Sequence, residues 1–465
     1  MTIIRGKSVV TGIILVLLVG SSLVSCDKSD SKPASTAKPE KILLDTYSAE
    51  DSRRKQVIQL DSDTVYILSS SFRRLDGEQL LIEQGTLIKV DPVGNIGFTI
   101  EPGGVLIANG TRENPVVFTS RDIVGSQSKN WGGVTITGKS VDNAQGRNGD
   151  LTDFSGSLSF VRIEFASLRL NAVGSRTLLE NIQVSYANPD FASGLGGNSF
   201  SITGGSFDAR NLFSYACGGP ADFFITNGYR GKMQNLLAYR HPFFGKAETG
   251  NHPYLGGLVV QNNPFDAVAE PITEPHISNL TVIGPDGQAG SSPDYADTTK
   301  ESAALIAINS GSYKIRNSVL MGFPHSAWYL GDFNSAYAVH YEIAVIGNSV
   351  FHSSNEARMF FIKDFVYPPY SLNDFRNYAL SPKFNNRILF TRDAFQFTDL
   401  YKYEEGLLPL PALSSPVFTG ASFQDSYFQV PFFEVVDHVG AIGKNNWLAN
   451  WTNLIPLKTR YNLPE

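Results

Sequence analysis

The chain predicts an all-β fold, a right-handed parallel β-helix with an irregular C-terminal cap, and three observations carry that prediction. Short runs of β-forming residues alternate with Gly, Asn, Asp and Pro over most of the 465 residues. Almost no stretch shows the 3.6-residue periodicity of an amphipathic helix, so the strands are not interleaved with helices. The runs also recur on common templates at intervals that vary, as in a solenoid whose rungs carry insertions of different length.

The first template appears at Ile82-Glu83-Gln84-Gly85-Thr86-Leu87-Ile88 and is echoed at Ile100-Glu101-Pro102-Gly103-Gly104-Val105-Leu106-Ile107. The second is a polar residue followed by alternating β-formers. It runs from Phe160-Val161-Arg162-Ile163-Glu164-Phe165 to the segments that begin at Asn181, Asn211, Asn235, Asn279, Asn317 and Asn348. Successive starts lie 21, 30, 24, 44, 38 and 31 residues apart. A recurrent Asn suits a tight bend, and stacked Asn side chains can hydrogen-bond from rung to rung along the axis. A β-propeller would repeat more evenly, at roughly 40–50 residues per blade. The β-helix is therefore placed at 42–355, with ten or so rungs. Beyond it, Tyr367-Pro368-Pro369-Tyr370 and Leu408-Pro409-Leu410-Pro411 break up strands, and 356–465 reads as a cap over the last rung.

The N-terminus reads differently. Arg5 and Lys7 precede an apolar stretch from Val9 to Val24, which ends at Leu23-Val24-Ser25-Cys26. The stretch is shorter than the roughly 20 residues that a spanning helix needs. It resembles a bacterial lipoprotein signal peptide over 1–25, with Cys26 as the lipidated residue. Residues 26–41, rich in Ser, Lys, Pro and Asp, form a disordered tether. Such a protein is held in a bilayer by acyl chains; the expected site is the outer membrane, at the cell surface. The second cysteine, Cys217, then has no intrachain partner, which excludes a stapling disulfide and a Cys-based metal site. A net charge of −6 with no dense Lys/Arg block argues against a nucleic-acid partner. The 12% aromatic content is read as filling for a long core.

A resemblance covers most of the chain beyond Cys26. Gly110 to Ser120, Asn130-Trp131-Gly132-Gly133 to Lys139, Ser155 to Ala166, Asn227-Gly228-Tyr229-Arg230-Gly231-Lys232, and His438-Val439-Gly440-Ala441-Ile442 with Trp447 and Trp451 together resemble a Bacteroidota family of extracellular lipoproteins. The resemblance implies a pectin-lyase-like β-helix on the outer membrane, near nutrient-import systems, with no assigned chemistry. Acidic runs expected on either side of the central motif are replaced by Gly218-Gly219-Pro220-Ala221-Asp222-Phe223-Phe224 and Leu258-Val259-Val260-Gln261-Asn262-Asn263.

Glycoside hydrolysis needs paired carboxylates in different protonation states, and a lyase of this fold needs carboxylates for Ca²⁺ and a basic residue. The chain has no Asp-Asp pair. Its best cluster is Asp222, Tyr229, Arg230, Lys232, Arg240 and His241, which would share one face if consecutive rungs stack in register. Asp222, Lys232 and His241 are the catalytic candidates. None of the seven histidines has metal-site spacing, and no metal or cofactor is expected. Gly194-Leu195-Gly196-Gly197 reads as a turn, and Asp63-Thr64-Val65 and Asp297-Thr298-Thr299 resemble O-glycosylation acceptors. The expected function is a non-enzymatic binding or accessory lipoprotein for a glycan, another polymer, or a membrane partner such as a TonB-dependent transporter. The alternatives are a carbohydrate-active enzyme and a structural or adhesive envelope component. Contacts are expected at Tyr229 and Arg230, and on the insertions at about 241–275 and 284–303, at Tyr254, Phe265 and Tyr295.

Overall fold

The computed structural model describes residues 37–44, 56–93, 95–121, 130–146, 149–187, 197–245, 254–286, 295, 297, 299–363 and 370–462. Cys26, the signal segment, most of the tether, Gly194 to Gly196, His252 and Thr298 lie outside them.

The chain winds as a parallel β-helix. One sheet contains ten parallel strands, one per rung, from Phe72–Arg74 through Leu168–Asn171, Ala221–Thr226 and Glu301–Ile308 to Phe360–Ile362. The other is bent, and its middle rungs are the strands Gly156–Glu164, Leu178–Ser185, Ala209–Tyr215, Lys232–Tyr239 and His276–Ile283. Inward side chains pack in columns: Ile182, Leu212, Leu236 and Leu280 follow one another in register, all fully or almost fully buried. Aromatic columns extend this core, with Phe72, Phe98 and Phe118 in successive ring contact at 5.5 and 5.3 Å.

The bend of the second sheet is the Asn column that the sequence marks. Phe160, Asn181, Asn211, Asn235, Asn279, Asn317 and Asn348 all have left-handed φ between 49° and 61°. The Cβ of an ordinary L-residue crowds a carbonyl oxygen in that conformation, which Asn tolerates because its short polar side chain can hydrogen-bond locally. The amides also stack: Asn235 donates to Asn211 Oδ1 at 2.9 Å, and Asn211 to Asn181 Oδ1 at 3.1 Å.

The C-terminal region departs from the expected cap. Helix α1 (Phe333–His340) lies against the last rungs, and helix α2 (Leu372–Ala379), opened by a Ser371/Asp374 capping box, sets Phe375 4.9 Å from Trp328 to close the stack. Further on, the chain turns back as a strap along the bent sheet. Asn348 donates to the Gly420 carbonyl and Asn279 to those of His438 and Gly440. Gln234 holds both backbone groups of Glu434, and Gln183 both of Asn453. Arg112 donates to the carbonyls of Trp447 and Ala449, and Asn462 reaches Lys38 on the first rungs. Gln183, Gln234, Asn279 and Asn348, at or beside the bends, offer side-chain amides that the strap backbone uses. A long extended segment therefore finds partners along the flank of the stack as well as at its end.

Candidate functional site

The Asn-Gly-Tyr-Arg-Gly-Lys segment builds a corner of the solenoid. Asn227 and Gly228 take positive φ and turn the chain out of Ala221–Thr226. Tyr229 then plugs inward, fully buried, with its hydroxyl donating to the Phe207 carbonyl at 2.8 Å. Gly231 passes so close that a Cβ there would run into that carbonyl and the Tyr229 hydroxyl. With Tyr229 anchored, Arg230 and Lys232 emerge on the outside.

Arg230 and Lys232 line a groove of about 660 Å³ between this corner and the strap. Asp208, Glu274 and His276 complete its solenoid side, and Tyr427 and Phe432 stand on the strap side. Lys232 Nζ lies 3.0 Å from Asp208 Oδ2, and the Lys232 amide donates to Asp208 Oδ1 at 2.8 Å. His276 Nε2 lies 3.3 Å from Glu274 Oε1. Burial raises the Glu274 carboxyl, but the His276 hydrogen bond and the charges of Lys314 and Arg230 outweigh it and hold it below its ordinary value. Arg230 is exposed, donates Nε to the Ile272 carbonyl, and makes no ion pair among the described residues.

The aromatic wall is tied to the basic floor. Phe432 lies 4.4 Å from the Arg210 guanidinium and 5.8 Å from Lys232 Nζ. Tyr427 meets the His276 ring edge-on at 5.1 Å and sits 4.8 Å from Lys314 Nζ. Such cation–π contacts hold the rings in place while leaving part of Tyr427 exposed to solvent.

The cluster proposed from sequence is split in two. Asp222 and Arg240 do not reach the groove. Both are fully buried and joined at 2.7 Å; Ser214 donates to Asp222, and Arg240 donates to the carbonyls of Gly219 and Gly256 and to Tyr295. Burial pushes the Asp222 carboxyl up, and Asp222 in turn holds Arg240 charged. His241 is boxed by Phe244 and Tyr403 at 4.5 and 4.3 Å, and burial lowers it to about 4, so it is neutral near pH 7. These residues fasten the corner where the two sheets meet. As catalytic candidates Asp222 and His241 are corrected to interior residues, and only Lys232 lies in the groove.

The contact candidates divide similarly. Tyr229, Tyr254 and Tyr295 are 0%, 5% and 2% exposed; Tyr254, expected on a displayed loop, opens the strand Tyr254–Gln261, and both it and Tyr295 are buried. Tyr295 is drawn in by Arg240 and Tyr254 by the apolar cluster of Val259 and Ile306. Arg230 is in the groove, and Phe265 is 94% exposed on a separate loop. Sequence reading missed Asp208, Glu274, His276, Tyr427 and Phe432. Among the described residues no three His, Cys, Asp or Glu side chains gather as a metal site, and no helix is long and apolar enough to cross a membrane.

A family model described as a pectate-lyase like beta helix domain matches residues 52–350, well over half of the chain. Neither a curated protein nor a solved structure matches it.

Proposed function

We propose, from the premise that this chain belongs to the pectate-lyase-like β-helix domain family, that it is a polymer-binding accessory protein whose ligand lies in the groove between Arg230, Lys232 and Tyr427. The observation that supports this reading is the groove itself, with paired acids and bases on a rigid floor and a partly exposed aromatic ring on the facing strap. Rigid polar floors with one stacking ring suit recognition of a sugar chain. We further propose that the protein is lipid-anchored through Cys26 at the outer membrane and belongs to the Bacteroidota lipoproteins whose motifs it resembles. A nutrient-uptake complex is the proposed partner there.

A carbohydrate-active enzyme is the second reading, because Asp208 and Glu274 line the same groove as Lys232 and His276. Glu274, however, is held in its charged form, which disfavours it as the proton donor of a hydrolase. A glycan array with the purified full-length protein, run beside Tyr427→Ala, tests the binding reading. Retained glycan that is lost with Tyr427→Ala supports it; an array with no retained glycan sinks it. Shortened chains after prolonged incubation would instead establish the enzyme.

A further inference from the structure

Three loops that leave the ten-stranded sheet are tied together by one side-chain amide. The first follows the strand Gly133–Thr137 and carries Asp142 and Asn143. The second is the Asn227-Gly228 turn, and the third, residues 262–273, joins the strands Tyr254–Gln261 and His276–Ile283. Asn143 Nδ2 lies 2.8 Å from Asn262 Oδ1, 2.9 Å from the Pro271 carbonyl oxygen and 3.1 Å from that of Ala269. An amide nitrogen has two protons to set against these three acceptors. The other end of the amide has nothing: Asn143 is only 8% exposed, and its Oδ1 is buried without a hydrogen-bond partner. Its neighbour in the chain, Asp142, is buried too. The Asp142 carboxylate accepts from the Ala144 amide and from Asn227 Nδ2, and it makes no ion pair among the described residues.

Acceptors crowded round one donor, an oxygen with no donor, and a buried carboxylate with no counter-charge are all relieved by a single change. We infer that this knot binds a hard, calcium-sized cation. A half-turn of the Asn143 amide sets Oδ1 where Nδ2 stands, and it then faces Asn262 Oδ1 and the carbonyl oxygens of Ala269 and Pro271. Separations of 2.8 to 3.1 Å are those of neighbouring oxygens about 2.4 Å from a shared ion, the distance at which Ca²⁺ is held. Without an ion these oxygens would repel one another, so the half-turn and the binding occur together. Mg²⁺ is too small for this spacing and keeps its own water. Asp142 supplies negative charge from the adjacent position. The ligands are amide and backbone oxygens, so no spacing of acids or histidines marks the site in the sequence. The ion would fasten the loop that displays Phe265 and Val268 to the coil of Asp142, independently of the groove and its ligand.

The test is thermal unfolding of the full-length protein, freed of metal with a chelator, as CaCl₂, MgCl₂ or NaCl is added at constant ionic strength, with calorimetric titration for stoichiometry. The expected result is one Ca²⁺ per chain and a midpoint that rises to a plateau, by about 3 °C at a hundredfold excess over Kd. MgCl₂ should do much less. Asn143→Ala should abolish the rise. Asn143→Asp offers oxygens alone, so it should be less stable than the native chain in chelator, regain that loss with CaCl₂, and bind about tenfold tighter. A side chain that serves only as a hydrogen-bond donor would instead leave Asn143→Asp equally weakened with and without CaCl₂, and that result overturns the inference. If Asn143→Ala does not fold, the Asn143→Asp comparison decides. A plateau with NaCl but not with CaCl₂ assigns the site to a monovalent ion of the same size. A native midpoint indifferent to all three salts, or Ca²⁺ bound as well by Asn143→Ala as by the native chain, overturns the inference too.

Discussion

Gln234 grips the backbone of Glu434, 200 positions away, through a reciprocal pair of hydrogen bonds: Nε2 donates to the carbonyl at 2.7 Å, and Oε1 accepts from the amide at 2.8 Å. One amide side chain thus treats the strap as a neighbouring β-strand would. Gln183 does the same to Asn453.

Removing that grip should free the strap locally. Gln234→Ala leaves both backbone groups of Glu434 in search of partners and should cost about 1–3 kcal/mol. Hydrogen exchange should rise around residues 430–440 and stay unchanged in the buried strand Lys232–Tyr239. Uniform faster exchange would mean that the strap and the rungs unfold together.

The Asp222–Arg240 pair should be structural. Asp222→Ala strands a buried guanidinium and should destabilise the protein by about 3–5 kcal/mol. Denaturant unfolding checks this, and ligand binding by the variant that remains folded should be unchanged. A mild loss of stability with lost binding would restore Asp222 to the site.

Asn235 joins two jobs, a left-handed bend at φ 61° and a hydrogen bond to Asn211. Asn235→Ala loses both and should cost about 1–3 kcal/mol, while Asn235→Gly relieves the bend and should recover about 1 of these. Equal midpoints for the two variants would show that the ladder bond alone matters.

Acid should weaken the fold through buried histidines. Burial lowers His241 from 6.5 to about 4, and lowers His325, His352 and His438 as well. Between these limits the unfolded chain binds protons that the native chain excludes. Stability is therefore full above about pH 6.5 and declines as pH falls toward 4, by about 3 kcal/mol for His241 alone. Urea midpoints at pH 7 and 5 should differ, and His241→Phe should narrow the difference. A midpoint that is flat with pH contradicts the burial of His241.

The bends are legible because Asn announces its own backbone conformation; aligning the strands on them would set His276 beside Lys232, a step that the sequence reading did not take. The interior pair was not legible: Asp222 and Arg240 read as members of one shared face with Lys232, whereas Tyr295 bonds Arg240 in the interior and the strap's Tyr403 donates to the Arg240 carbonyl. The strap was hidden for a different reason. Its contacts join residues such as Arg112 and Ala449, 337 positions apart, and no local propensity records them. Even so, Gly440, Trp447 and Trp451, which stand out in sequence, are attachment points. The Gly440 amide donates to the Asn317 carbonyl, and Trp451 packs edge-on against Phe160 at 5.6 Å.

Lys38 and Asn462 exchange hydrogen bonds across 424 positions, the Lys38 amide donating to Asn462 Oδ1 at 2.7 Å and Asn462 Nδ2 to the Lys38 carbonyl at 3.0 Å. A tensile load entering at residue 38 is therefore shared with the far end of the strap. Peeling the first coil from the stack under such a load requires these two bonds to shear as well. Under tension, a coil that would otherwise open from one free end carries a clasp between its two ends.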